Sequence, residues 1–269
     1  MGWEYMWIFC IVSAALCSVG FKRFVYFLSV GYGFAVAGLG IAYFATALAA
    51  PFPWNFATIL QCGLFIAYGA RLSGFLLARE IKNASYRKVL KEATKENEKP
   101  MPFFVKVCIW LTVSVLYIAQ TAPVFFRLCN GDGYDMGLPL LGAVISIGGL
   151  CLETISDRQK TAQKAVEPNM VATKQLFKLV RCPNYLGEVI FWTGVLVGSL
   201  NTLTGAGQWI TTVAGYVCIV FIMFNGAQRL DRRQEKRYGK IPAYRAYADH
   251  TPILLPFVPL YHIGKYKED

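Results

Sequence analysis

Apolar runs of about bilayer length dominate the chain, separated by connections of two alternating kinds. Crossing a hydrocarbon core takes ~20 predominantly apolar residues. Seven stretches meet or approach that length, at about 3–20, 25–49, 56–78, 103–126, 136–152, 186–200 and 208–226. The pattern predicts an all-α integral membrane protein with seven transmembrane helices, a single transmembrane domain over 1–269.

The connections orient it. Lys22-Arg23, the 79–102 loop, the 153–185 loop and the tail from 227 are rich in Lys and Arg. The connections 50–55, 127–135 and 201–207 hold one basic residue between them, Arg127. Positive loops stay in the cytoplasm, so the N-terminus is expected outside and the C-terminus inside. The first run lacks a basic n-region and is followed by Lys22-Arg23, which reads as a retained helix rather than a cleaved signal peptide.

Composition agrees with the membrane class: 55% of the 269 residues are hydrophobic. The net charge of +11 could indicate nucleic acid, but the basic residues sit in loops between spans, so no nucleic-acid partner is expected. Eight cysteines (10, 17, 62, 108, 129, 151, 182, 218) show no metal spacing and read as small apolar filler.

Polar residues at odds with the hydropathy carry the candidate chemistry. Tyr68 and Arg71 are three apart and share a face of span three. Arg71 lies about 10 Å and Tyr68 about 15 Å inside the cytosolic end. A charge at that depth snorkels, pairs, or faces a bound anion or hydrated cavity. Arg79 and Lys82 continue the basic line. The loop from Glu80 to Lys99 mixes signs and reads as a solvated amphipathic helix. Gln120, in span four, is expected to bond a neighbouring helix. If span five continues, Glu153, Asp157, Lys160 and Lys164 fall on one face.

The densest polar boundary is Leu176–Glu188, where a charged loop turns into a helix. Arg181, Asn184 and Glu188 stand there, with Pro183 able to start the helix. Beyond span seven, Arg229, Arg232 or Arg233, Lys236 and Lys240 form a helical stripe that Gly239 can end. Such a stripe meets anionic lipid or, beside Arg181 and Lys164, clamps phosphates. His250 stands either beside a phosphate or as an ordinary interfacial residue. The proline-rich tail from Tyr247 reads as a short interfacial cap. No GxGxxG or Walker loop occurs, so a nucleotide would be held by side chains from several loops.

Arg181-Cys-Pro-Asn-Tyr-Leu-Gly-Glu188, Arg229-Leu-Asp-Arg-Arg, Arg237-Tyr-Gly, Tyr244-Arg-Ala-Tyr247 and a closing Pro-Ile-Leu-Leu-Pro256 together resemble the steroid 5α-reductase family, its bacterial branch in particular, and more distantly the sterol reductases. The resemblance covers about Tyr68 to Phe257 and is specific over its last hundred or so residues. It implies a seven-helix fold with NADPH on the cytosolic side, hydride transfer to the β-carbon of an enone, and a tyrosine supporting the carbonyl. Helices over 1–126 would face substrate, and 127–269 would bind cofactor. Tyr68-Gly-Ala-Arg71 is similar to the family's Tyr-x-x-Arg, making Tyr68 the general acid and Arg71 both its partner and a cofactor contact. Asn184 and Glu188 fall on positions holding the adenosine and amide portions, Asp157 and Lys164 on an acidic and a basic contact, and Arg229 and Tyr238 near the C-terminal clamp. The implied cofactor set is completed by Arg79, Lys160, Arg181, Tyr185, Arg233 and Tyr247. The steroid enzymes carry a Gln-Glu pair on the second helix. Span two here has neither residue, so the substrate carbonyl cannot be held in that way. Cys182 replaces the histidine usual in the bacterial branch.

The expected activity is therefore membrane-embedded, NADPH-dependent reduction of a carbon–carbon double bond conjugated to a carbonyl, in a steroid-, sterol- or isoprenoid-like substrate. The expected setting is a monomer in a bacterial inner membrane or an endoplasmic reticulum membrane. Two other readings stay open at this level. Arg-x-Pro-x-Tyr-x-Gly followed by Glu also appears in membrane methyltransferases that use S-adenosylmethionine on phospholipid or isoprenylcysteine. A non-catalytic lipid-binding protein would treat the same polar groups as packing contacts.

Overall fold

In a bilayer the backbone hydrogen bonds must close within helices or a barrel. The computed structural model, which describes residues 3–82, 87 and 101–262, takes the helical solution, with no strand among the described residues. Its α-helices are α1 Met6–Cys17, α2 Val30–Ala49, α3 Phe56–Lys82, α4 Phe103–Asn130, α5 Gly137–Val166, α6 Pro183–Val197, α7 Gly205–Tyr238 and α8 Pro242–Ala248. Among the described residues, five helical segments are long and apolar enough to cross a membrane: Phe24–Ala49, α3, α4, α5 and α7. The chain is an all-helical, multi-pass membrane protein.

The first and sixth expected spans are shorter helices. α1 has 12 residues and a 3-10 turn after it, and α6 has 15, or ~22 Å at 1.5 Å per residue. Two helices continue past their apolar stretches, as the charged faces after spans five and seven require. α5 continues unbroken from Gly137 through Lys164, and α7 runs 34 residues from apolar sequence into the basic stripe. It stops at Tyr238, before Gly239. Of the amphipathic helix expected over Glu80–Lys99, all but Glu80–Lys82 and Arg87 lies outside the described residues.

Two compact units make up the chain, Met1–Ala143 with Val195–Gly215, and Val144–Gly194 with Tyr216–Asp269. In the first, Phe9, Tyr43 and Phe125 pack ring on ring, with centroids 4.6 to 5.7 Å apart. α2 and α3 touch backbone to backbone, since a Cβ on Gly69 would sit 2.0 Å from the Gly33 carbonyl oxygen. Small residues permit such approaches where no hydrophobic drive between helices exists.

The less basic end of this unit holds a polar network. Arg127, 4% exposed, donates to Asp135 Oδ2 at 2.7 Å, to Asn201 Oδ1 at 2.8 Å and to the Gly198 carbonyl at 3.1 Å. Asn55 donates to the Asp135 carbonyl and caps α3, its Oδ1 accepting from the Thr58 N–H at 2.9 Å. A cap is what Asn supplies at a helix start.

In the second unit the tail is tied in by backbone. The N–H groups of Arg181 and Cys182 donate to Pro252 and Ile253, both at 2.9 Å. Ile253 and Leu254 are buried with Cys182 and Ala227. The tail is thus a packed part of the unit as well as a surface segment.

Candidate functional site

α5 and α6 cross where glycine faces glycine. A Cβ on Gly149 would lie 2.4 Å from Phe191 N and 2.5 Å from the Gly187 oxygen. One on Gly187 would meet Glu153 Cγ at 2.7 Å and the Gly149 oxygen at 2.8 Å. The crossing sets two acidic side chains deep in the unit, Glu153 at 2% and Glu188 at 7% exposure. Ionisable groups buried in apolar helices are costly and mark functional sites by default. Ser146 fixes the same pair of helices, donating to the Phe191 carbonyl at 3.0 Å.

Pro183 opens α6 at its first residue, as expected from its fixed φ and missing N–H. Asn184 follows, half-buried, and Glu188 stands one turn on. Asp157, Lys160 and Lys164 lie half-buried along α5. Lys164 donates to the Tyr238 hydroxyl at 3.0 Å and to the Pro168 carbonyl at 3.1 Å. The structure thereby joins two expected site residues 74 positions apart. Arg237 also lies over the Tyr238 ring, 5.3 Å from its centroid. Arg229 and Arg233 are exposed on α7.

Other expected residues have structural partners. Arg181 is 2% exposed and forms an ion pair with Asp231 at 2.7 Å; it also donates to the Tyr261 carbonyl. Its guanidinium is held inside the protein, whereas the sequence reading gave it to a bound phosphate. The Tyr247 hydroxyl donates to the Phe177 carbonyl at 2.7 Å, and burial raises its pKa well above the usual tyrosine range. Tyr185 packs against the Cys182–Ala227–Ile253 cluster. His250 is exposed and takes the Ala246 carbonyl at 2.9 Å.

Tyr68, Arg71 and Arg79 belong to the first unit. Tyr68 is fully buried and edge-on to Tyr32, centroids 5.8 Å apart, with Tyr117 beyond at 4.7 Å from Tyr32. Arg71 is half-buried with its guanidinium 5.9 Å from the Phe75 centroid, and Arg79 is exposed.

A family model described as a protein of unknown function, DUF1295, matches residues 30–251. The chain belongs to the DUF1295 family. No curated protein matches it, and no solved structure does. The DUF1295 match takes in every expected site residue, from Tyr68 to Tyr247.

The sequence reading passed over Asp231 and His262. Asp231 reads as one acid in a basic run, Arg229-Leu-Asp-Arg-Arg. The usable signal was its spacing: Asp231 and Glu235 are four apart, on a face distinct from the arginines. His262 lies 3.1 Å from Asp249 and 3.9 Å from Asp231.

Proposed function

We propose that this protein is a membrane-embedded NADPH-dependent reductase of a carbon–carbon double bond conjugated to a carbonyl in an apolar substrate. The observation that carries the reading is the Lys164–Tyr238 contact. It draws α5 and α7 together beyond their apolar segments, each bearing the cations and carboxylates that a phosphorylated dinucleotide needs. Membership of a family associated with steroid 5α-reductase-like proteins supports it. In this reading the chain has seven spans, the N-terminus is outside, and the cofactor residues are cytosolic.

The donor set fits such a cofactor. Lys160, Lys164, Arg229 and Arg233 offer charge-assisted hydrogen bonds to phosphate oxygens. Asp157 and Glu188 offer acceptors to ribose hydroxyls and a carboxamide N–H, and Asn184 offers both donor and acceptor. The bound cofactor supplies the hydride, and the protein supplies position and electrostatics. Tyr68, buried away from water, donates a hydrogen bond to the oxygen on which enolate charge develops. Such a preorganised donor is worth more in a low-dielectric site. Arg71, three residues on and on the same face of α3, offers its guanidinium to the cofactor.

Melting of the purified protein with NADPH tests the reading, because a ligand that binds only the folded state raises the melting temperature. A rise with NADPH and none with S-adenosylmethionine is expected. Asn184→Ala and Glu188→Ala should abolish the rise. Tyr68→Phe should keep it and lose turnover. An unchanged melting temperature at millimolar NADPH would sink the proposal, and a rise with S-adenosylmethionine instead would favour the methyltransferase reading.

A further inference from the structure

Buried hydroxyls in the first unit are consistently satisfied. Ser13 donates to the Ser114 carbonyl at 2.9 Å, Ser73 to Val30 at 2.9 Å and Tyr117 to Phe27 at 2.7 Å, while Tyr43 and Thr121 share a hydrogen bond at 2.9 Å. Two residues break this pattern. Gln120 on α4 is 3% exposed and Thr212 on α7 is 1% exposed. Neither atom of the Gln120 amide, nor the Thr212 hydroxyl, has a hydrogen-bond partner among the described residues. The sequence reading expected Gln120 to bond a neighbouring helix, and it does not.

Both lie at one helix crossing. Gly215 on α7 rests on α4: a Cβ there would sit 2.7 Å from the Ala119 carbonyl and 2.9 Å from Gln120 N. Thr212 precedes Gly215 by three residues and so shares its face. Gln120 lies about 15 Å from the end of α4 and Thr212 about 10 Å from the start of α7, deep within the apolar segments. An unmade hydrogen bond costs roughly 1–3 kcal/mol for a buried amide or hydroxyl, and solvent is distant. Two such groups at one crossing point to a polar atom brought by something else.

We infer that the α4–α7 crossing binds the oxygen of an apolar ligand, a hydroxyl or keto group carried on hydrocarbon, through the Gln120 amide and the Thr212 hydroxyl. An amide and a hydroxyl each offer donor and acceptor, which suits a neutral oxygen. The nearest cation along α4, Arg127, is already paired with Asp135 at 2.7 Å, so the crossing offers no charge to an anion. Val124, one turn along α4 from Gln120 and on the same face, is apolar and buried. The site goes beyond the reductase reading and needs neither NADPH nor turnover.

The test compares phytanol with phytane, the same saturated branched chain with and without a hydroxyl, by melting of the purified protein. The wild type should bind phytanol about tenfold more tightly, the equivalent of one hydrogen bond. Gln120→Leu should remove that preference, and Thr212→Val should reduce it. Thr212→Val is isosteric and carries the test if Gln120→Leu fails to fold. Equal binding of alcohol and hydrocarbon overturns the site. So does a hydroxyl preference that both variants retain. A Gln120→Leu protein that melts higher, beside a wild type without preference, would mean that the amide met only water. Because phytanol cannot be reduced, a failure here leaves the reductase reading untouched, and a failed NADPH shift leaves this one untouched.

Discussion

Arg181 and Asp231 form an ion pair at 2.7 Å with side-chain exposures of 1% and 0%. Arg181 precedes α6, and Asp231 lies on α7 beyond its apolar part. The pair links two segments 50 residues apart in sequence. The tail closes over it, Arg181 donating to the Tyr261 carbonyl and its N–H to Pro252.

Breaking a buried pair leaves one charge stranded, at a cost of ~3–5 kcal/mol. Asp231→Ala should therefore lower stability by about that amount. The double replacement Arg181→Met with Asp231→Leu should recover much of it. Denaturant melts of the purified protein, read by circular dichroism, measure both. An Asp231→Ala protein as stable as the wild type would contradict the pairing.

The α5–α6 crossing makes neighbouring glycines behave differently. Gly148 meets nothing within 4 Å, while Gly149 lies against backbone of α6. Gly148→Ala should be neutral or stabilising by up to ~1 kcal/mol through helix propensity. Gly149→Ala must push two helices apart and should cost ~1–3 kcal/mol. Because the same crossing carries Glu153 and Glu188, Gly149→Ala should also weaken the proposed NADPH binding while Gly148→Ala leaves it intact.

Asp135 titrates below the usual carboxylate range, because Asn201 and then Arg127 donate to its ionised form. A group depressed in the folded state adds stability above its unfolded pKa, near 3.8, and that stability is lost as pH falls through the folded value. Melting temperature should accordingly fall as pH drops from about 5 to 3. Asp135→Asn should start lower at neutral pH and show a shallower fall.

Burial pushes the Cys182 thiol up to about 12, against the opposing pull of Lys160 and Arg181. The thiolate is the reactive form. Maleimide at pH 8 should leave Cys182 unmodified in the folded protein and modify it after unfolding, as peptide mass spectrometry would show.

The chain's own pattern was enough for its local architecture. Lengths of apolar runs specify α2 to α5 and α7 because a helix closes its backbone hydrogen bonds within itself, so membrane burial and helix formation follow from the same residues. Pro183 as the opening of α6 is equally local, since it acts through its own φ and missing N–H; α7 does end before Gly239, but without the left-handed φ of a glycine cap. The charged continuations of α5 and α7 were legible for the same reason.

What the tertiary structure decided is where each polar side chain spends its hydrogen bonds. Arg181 and Asn184 look alike in sequence as polar groups at one boundary. Folding buries the first against Asp231 and leaves the second half-buried on α6. Asn55 is one polar residue in a short connection by sequence, yet it caps α3 and holds Asp135. Gln120 reads as helix glue, yet it meets no partner where α7 crosses it. A helix's period says which residues share a face. Only the packing of distant segments says what that face meets, because an ion pair or an orphan amide depends on atoms that the local sequence does not contain.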